Sequence, residues 1–74
     1  MEYSNDKAFI KALGKRIKML RTSKKMTQLD LGVASNMEEN ALQRIEAGRT
    51  NPTVKTLFKI AKALEINVKL LFDF

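Results

Sequence analysis

Apolar residues recur along this chain at helical spacing. At about 100° per residue, Ile10, Leu13, Ile17 and Leu20 fall within about 80° of one another, while Lys7, Lys11, Lys15 and Lys18 collect on a separate arc. The pattern predicts an amphipathic first helix from near Ser4 or Asn5 to about Lys24. Thr27, with Asp30 three residues on, has the form of a capping box and opens a short helix over about residues 28–35, whose apolar members include Leu31 and Ala34. Asn36-Met37 reads as a turn, Asn being suited to left-handed backbone angles and Met37 being placed to tuck inward. A third helix follows from about Glu39, and Gly48 stands where a glycine would end it. Asn51-Pro52 predicts the next start, with Asn51 as the cap and Pro52 at the first helical position. Val54, Leu57, Phe58, Ala61 and Leu64 then recur at i, i+3, i+4, i+7 and i+10, opposite Lys55, Lys59 and Lys62. Asn67 can cap a last short helix, Val68 to Phe72.

With one proline, three glycines and no strand-like alternation, the chain reads as all-α. No repeat or linker divides it, so residues 1–74 are expected to form one domain. No apolar run exceeds three residues, which predicts neither a spanning helix nor a signal-peptide core, and a cytoplasmic location is expected. The net charge of +6 is unevenly spread: residues 1–25 carry +6, residues 26–48 carry −3 and residues 49–74 carry +3. Such a surplus in a small domain points to phosphate, anionic lipid or an acidic partner. Cysteine and histidine are absent, which excludes disulfides, cysteine-zinc sites and imidazole-based nucleophilic pairs. Neither metal nor cofactor is expected.

The second and third helices, joined by a three- or four-residue turn, have the dimensions of a helix-turn-helix. Taking Ile45 as origin, Leu42 and Ala41 lie within about 60° and face a core. Glu39, Asn40, Gln43, Arg44 and Ala47 occupy an outward arc between about 120° and 260°. These groups suit the reading of base edges: Asn and Gln pair a donor and an acceptor with adenine, Arg forks onto guanine, and Glu accepts from the cytosine amino group.

Thr27-Gln28, Leu31, the run Ala41-Leu42-Gln43-Arg44-Ile45-Glu46-Ala47-Gly48, Asn51-Pro52, the run from Leu57 to Leu64, and Leu71-Phe72 resemble the XRE family of Cro-like and phage-repressor-like helix-turn-helix regulators. The resemblance covers about residues 10–72 without a gap. It implies a compact five-helix, lambda-repressor-like DNA-binding domain, commonly a homodimer on an operator of two inverted half-sites, with the third helix in the major groove. It departs from the family pattern at Gly32, where alanine is usual, at Ser35, where leucine is common, at Asn36, where the turn glycine is usual, and at Glu38, where Ser, Thr or Asp commonly caps the recognition helix.

The resemblance also assigns residues. Arg21 sits about 40° from Ile17 at the edge of the apolar stripe, where a guanidinium needs a carboxylate, and the family pattern pairs it with Glu46. Gln28 matches a family glutamine that touches phosphate, and Arg49, Thr50 and Asn51 match a stretch that approaches the sugar-phosphate backbone. Glu39, Asn40, Gln43 and Arg44 are the expected base-reading set, and the lysines of the first helix read as a solvated surface. Leu70, Leu71, Phe72 and Phe74 either close the bottom of the core or form a dimer patch.

The expected function is therefore sequence-specific binding of double-stranded DNA by a transcriptional regulator, a repressor or autoregulator. The alternative is an antitoxin or other protein-partner module on the same fold. Catalysis is not expected, because Asp30, Glu38, Glu39 and Glu46 fall at cap, surface and ion-pair positions with no second group converging on them.

Overall fold

The computed structural model describes residues 4–74. Among them the chain forms α1 (Asp6–Ser23), α2 (Gln28–Ala34), α3 (Glu39–Glu46) and α4 (Val54–Leu64), followed by a 3₁₀ helix, Val68–Phe72. The all-helical architecture is the expected one, except that the fifth helix is 3₁₀. Its five residues are too few to repeat an α-helical hydrogen-bonding turn usefully, and Asn67 caps it by accepting from the Lys69 N–H at 3.0 Å.

The helix starts follow from side-chain chemistry. Asn5 accepts from the Ala8 N–H at 2.8 Å. At α2, Thr27 accepts from the Asp30 N–H at 3.0 Å, and the Asp30 carboxylate accepts from the Thr27 N–H at 2.9 Å. That backbone hydrogen bond, assisted by the Thr27 side chain, holds the Asp30 carboxyl below its ordinary pKa. The start of α4 differs from the expectation. Thr53, not Asn51, is the N-cap, accepting from the Thr56 N–H at 3.1 Å, and Pro52 precedes the helix instead of opening it. A threonine adjacent to the first turn reaches its amides where Asn51 does not. Glu38 caps α3 by backbone geometry alone, with no side-chain hydrogen bond.

All four α-helices end in one way. A residue with positive φ (Lys25, Asn36, Gly48 and Glu65 in turn) reverses the chain, and the next amide returns to a carbonyl five residues back. These returning bonds run from Met26 to Arg21, Met37 to Gly32, Arg49 to Arg44 and Ile66 to Ala61. Met26, Met37 and Ile66 then pack against the core, so three of the reversals are fixed by hydrophobic contact. Arg49 instead points its exposed side chain outward at the end of α3.

The core gathers Leu13 and Ile17 from α1, Leu31 from α2, Leu42 and Ile45 from α3, Leu57, Ile60, Ala61 and Leu64 from α4, and Leu71. Two expected core positions of α4 lie outside it: Val54 is 82% exposed and Phe58 59%. The apolar arc of α4 is wider than the surface it covers. Packing centres on Leu57, Ile60 and Leu64, which leaves Val54 and Phe58 on the far edge. In α2 the exposed Ala34 likewise yields its expected place to Ser35, which is buried with its hydroxyl donating to the Leu31 carbonyl at 2.6 Å. At the C-terminus Leu71 is fully buried, whereas Phe72 and Phe74 lie against Phe9 of α1.

Two contacts fix α3 on α1. At Gly14 the helices approach so closely that a Cβ would stand 2.7 Å from the Glu46 carbonyl oxygen and nearer still to that of Ile45. Two turns further along α1 lies a buried ion pair: Arg21 Nε donates to Glu46 Oε2 at 2.7 Å and Arg21 Nη2 to Glu46 Oε1 at 3.0 Å. Arg21 is 7% exposed and Glu46 6%. The remaining polar atoms are also satisfied, since Arg21 Nη1 donates to the Met26 carbonyl at 2.7 Å and Gln28 Nε2 donates to Glu46 Oε1 at 3.0 Å. The hydrogen bonds to Glu46 hold the Arg21 pKa above its ordinary value against the opposing effect of burial.

Removing either partner would strand a buried charge. Arg21→Met and Glu46→Leu are each expected to cost about 3 kcal/mol, and the double variant less than their sum, in urea unfolding. Independent, additive losses would contradict the coupling. The helix ends give a second expectation: Lys25→Gly and Glu65→Gly should each raise stability by about 0.5–1 kcal/mol. That is the strain of a left-handed residue, about 1–2 kcal/mol, less the greater unfolded-state freedom of glycine, about 0.4–1 kcal/mol. Unchanged or lower urea midpoints would show that these turns carry no strain.

Candidate nucleic-acid interface

The helix α3 is short, and its amphipathic pattern divides it sharply. Leu42, Ile45 and Glu46 are buried, while Glu39, Asn40, Gln43, Arg44 and Ala47 are exposed. All four expected base-reading side chains thus lie on one outward face. Its two edges border shallow clefts. On one side Gln43 and Ala47 share a cleft of about 210 Å³ with Gln28 and Lys18. On the other, Ala41 and Arg44 share one of about 190 Å³ with Thr50, Asn51 and Pro52. The positions expected to meet phosphate therefore flank the outward face of α3 on opposite sides.

Each flanking residue has its own environment. Gln28 opens α2, half-buried, with its amide nitrogen engaged by Glu46; the second N–H of that nitrogen and the backbone N–H groups of Gln28 and Leu29, which the capping box leaves unused, are the groups left to face an anion. The same carboxylate that fixes α3 on α1 thus also fixes Gln28. Arg49 and Asn51 are exposed and Thr50 is half-buried. The positive φ of Gly48 turns the chain here, and a Cβ at that glycine would lie 2.9 Å from Lys11 Cα, so the loop after α3 runs hard against α1. With Thr53 as the cap of α4, Asn51 is not used to start that helix.

Among the described residues the ion pairs are Arg16–Asp73 at 3.8 Å and Arg21–Glu46. Arg44 and Arg49 accordingly carry no acidic partner. Arg16 is turned away from this region, its Nε donating to the Leu70 carbonyl at 2.9 Å. The sequence places Lys7 and Lys18 on a solvated surface, and both are exposed; they also stand beside these clefts, Lys18 next to Gln28 and Lys7 in a cleft of about 250 Å³ with Arg49, Thr50 and Asn51. The signal was the spacing of Lys7, Lys11 and Lys18 in line with Gly14, the closest approach of α3. Among the described residues no cluster of His, Cys, Asp and Glu could hold a metal ion, and no helix is long and apolar enough to cross a membrane.

Comparison with known proteins agrees with this geometry. The helix-turn-helix family model HTH_3 matches residues 17–71. The chain is 41% identical over 56 residues to the immunity repressor protein of Bacillus phage phi105, covering 76% of this chain and 39% of that protein. It is 37% identical over 57 residues to the HTH-type transcriptional regulator y4dJ of Sinorhizobium fredii, covering 77% of this chain and 74% of that one. This chain therefore spans well under half of the phage repressor and about three quarters of the regulator. The crystal structure of the restriction-modification controller protein C.AhdI from Aeromonas hydrophila superposes with a TM-score of 0.87 at 31% identity, over 88% of this chain and 98% of that one. With the buried Arg21–Glu46 pair, the exposed α3 and a family match that takes in both, the chain belongs to the HTH_3 family of XRE-type helix-turn-helix proteins.

Proposed function

We propose that the protein is a sequence-specific repressor or autoregulator that acts in the cytoplasm as a homodimer on an operator of two inverted half-sites. The observation that carries this reading is the outward face of α3, where Asn40, Gln43 and Arg44 stand exposed between two flanking sets of phosphate-seeking groups. In the proposed complex α3 enters the major groove, and Glu39, Asn40, Gln43 and Arg44 read base edges. Gln28 engages the backbone on one side, and Arg49, Thr50 and Asn51 engage it on the other.

A single copy reads too few bases for tight selection of one site, so a second copy is part of the proposal. The apolar edge of α4 favours it: Val54 and Phe58 are exposed, and Phe58 lines a groove of about 470 Å³ with Ile66 and Val68. The Leu70–Phe74 segment is less suited to the role, because Leu71 is in the core and Phe72 and Phe74 pack on Phe9. The same apolar edge would serve the alternative of an antitoxin or other protein-partner module.

Selection of tight binders from random duplexes, followed by footprinting, separates these readings. The expected product is an inverted repeat with half-site centres about one helical turn apart; no enriched sequence would favour the partner module. On the selected duplex, Arg44→Ala should relax preference at one operator position by about 1–3 kcal/mol, whereas Arg49→Ala should weaken all sequences about equally. Equal losses across operator variants for both changes would contradict that division. Phe58→Glu should leave the melting temperature nearly unchanged and abolish dimers in sedimentation on and off DNA. A dimer that survives it would place the interface elsewhere.

A further inference from the structure

We infer that α1 forms a third DNA-backbone contact, in which Lys7 and Lys18, at the two ends of one lysine stripe, engage phosphates of opposite strands across the groove that α3 enters. The inference rests on the proposed docking of α3 and adds to it a binding role for a helix outside the helix-turn-helix.

The geometry begins with the helical wheel. Lys7, Lys11, Gly14 and Lys18 fall within about 60° of one another on α1, and Arg16 lies opposite them. Each side of the helix has a known neighbour. The Gly14 position meets the Ile45 and Glu46 carbonyls at the end of α3, and Lys11 Cα abuts Gly48. Arg16 holds the C-terminal 3₁₀ helix through the Leu70 carbonyl. The stripe therefore lies on the α3 side of the molecule, with α3 ending over its middle.

Its ends overhang on either side. Lys18 shares the cleft that contains Gln28 and Gln43, and Lys7 shares the cleft formed by Arg49, Thr50 and Asn51. Eleven residues of helix separate these lysines by about 17 Å along the axis, more than the width of the major groove, about 12 Å. A helix crossing over α3 with that reach sets one ammonium beside each bounding backbone.

Charge favours the same occupant. Lys7, Lys11 and Lys18 are exposed and, among the described residues, make no ion pair. The carboxylates near them are accounted for: Glu46 is taken up by Arg21 and Gln28, and Asp6, in the first turn of α1, is the remaining acid beside Lys7. A polyanion with charges on both sides of a groove fits two cationic ends at this separation better than a single small anion does.

The test is the salt dependence of binding to a pool of short random-sequence duplexes and to the duplex selected from it. The slope of log K against log salt counts phosphates neutralised. Lys7→Gln and Lys18→Gln should each lower the magnitude of the slope by about one, and the double variant by about two, with the ratio of selected to random binding unchanged. Lys69→Gln, on the 3₁₀ helix at the opposite side of α1, should leave the slope alone. Thermal melts separate a binding effect from an effect on folding. If Arg49→Ala lowers the slope while the lysine variants do not, or if they lower only the melting temperature, the stripe merely neutralises the carbonyl end of α3 and the inference fails alone. If the wild-type protein shows no salt-dependent duplex binding, the inference and the reading beneath it fail together.

Discussion

One carboxylate sets the geometry on which the rest depends. Glu46, at the last turn of α3, accepts two hydrogen bonds from Arg21 of α1 and one from Gln28 at the start of α2, while Arg21 also holds the Met26 carbonyl in the turn between those helices. An eight-residue helix does not hold its shape in water by itself, so α3 takes its orientation from what surrounds it. Leu42 and Ile45 supply burial, which has no direction. The bidentate pair does have direction: it fixes the rotation of α3 about its own axis, and with it which side chains face outward. Replacing such a pair with apolar residues can leave stability little changed. Its value in this fold is positional, because one of the same oxygens, Glu46 Oε1, also registers Gln28 against the α3 face.

Much of this was legible in the sequence, for reasons that lie in local chemistry. The Thr27–Asp30 box, the turn at Asn36 and the glycine at 48 each announce a helix end through the residue at the end itself. Arg21 at the edge of an apolar stripe required a partner, and the family pattern supplied Glu46. What was not legible depended on the relation between elements. Asn51 and Thr53 are both competent caps, and Thr53 serves because α4 begins at Val54, immediately after it. Val54 and Phe58 belong to an apolar arc that the periodicity marks correctly, but the arc does not say which of its edges the core will cover. A stripe of lysines on α1 looks the same whether it faces bulk water or a neighbouring helix. Gly14 was the one residue in the stripe that hinted at a neighbour, since a missing side chain permits close approach.

The surface divides by function along these lines. The α3 side carries cations that have no acidic partner among the described residues, the exposed polar side chains of α3 and two turns where the backbone comes forward. The α4 side carries the excess apolar edge of Val54, Phe58 and Val68. The C-terminal side is closed by Leu71, the Arg16 tether and the aromatic contacts of Phe9. Cationic and apolar surfaces thus leave from different elements, and one small core orients both. The acidic pair Glu38 and Glu39 is the exception, placing negative charge at the start of α3. In the proposed complex such charge opposes loose association with any duplex and is tolerated where a base edge offers a donor, favouring discrimination over general affinity.

The most direct test of the central claim is amide chemical-shift mapping by NMR as the selected duplex is titrated into the protein. The largest changes should cluster at Gln28, along Glu39 to Ala47 and through Gly48 to Asn51, with the Arg21 and Glu46 amides moving little because their pairing is already formed. Changes concentrated instead on Val54, Phe58 and Val68, with α3 silent, would contradict it.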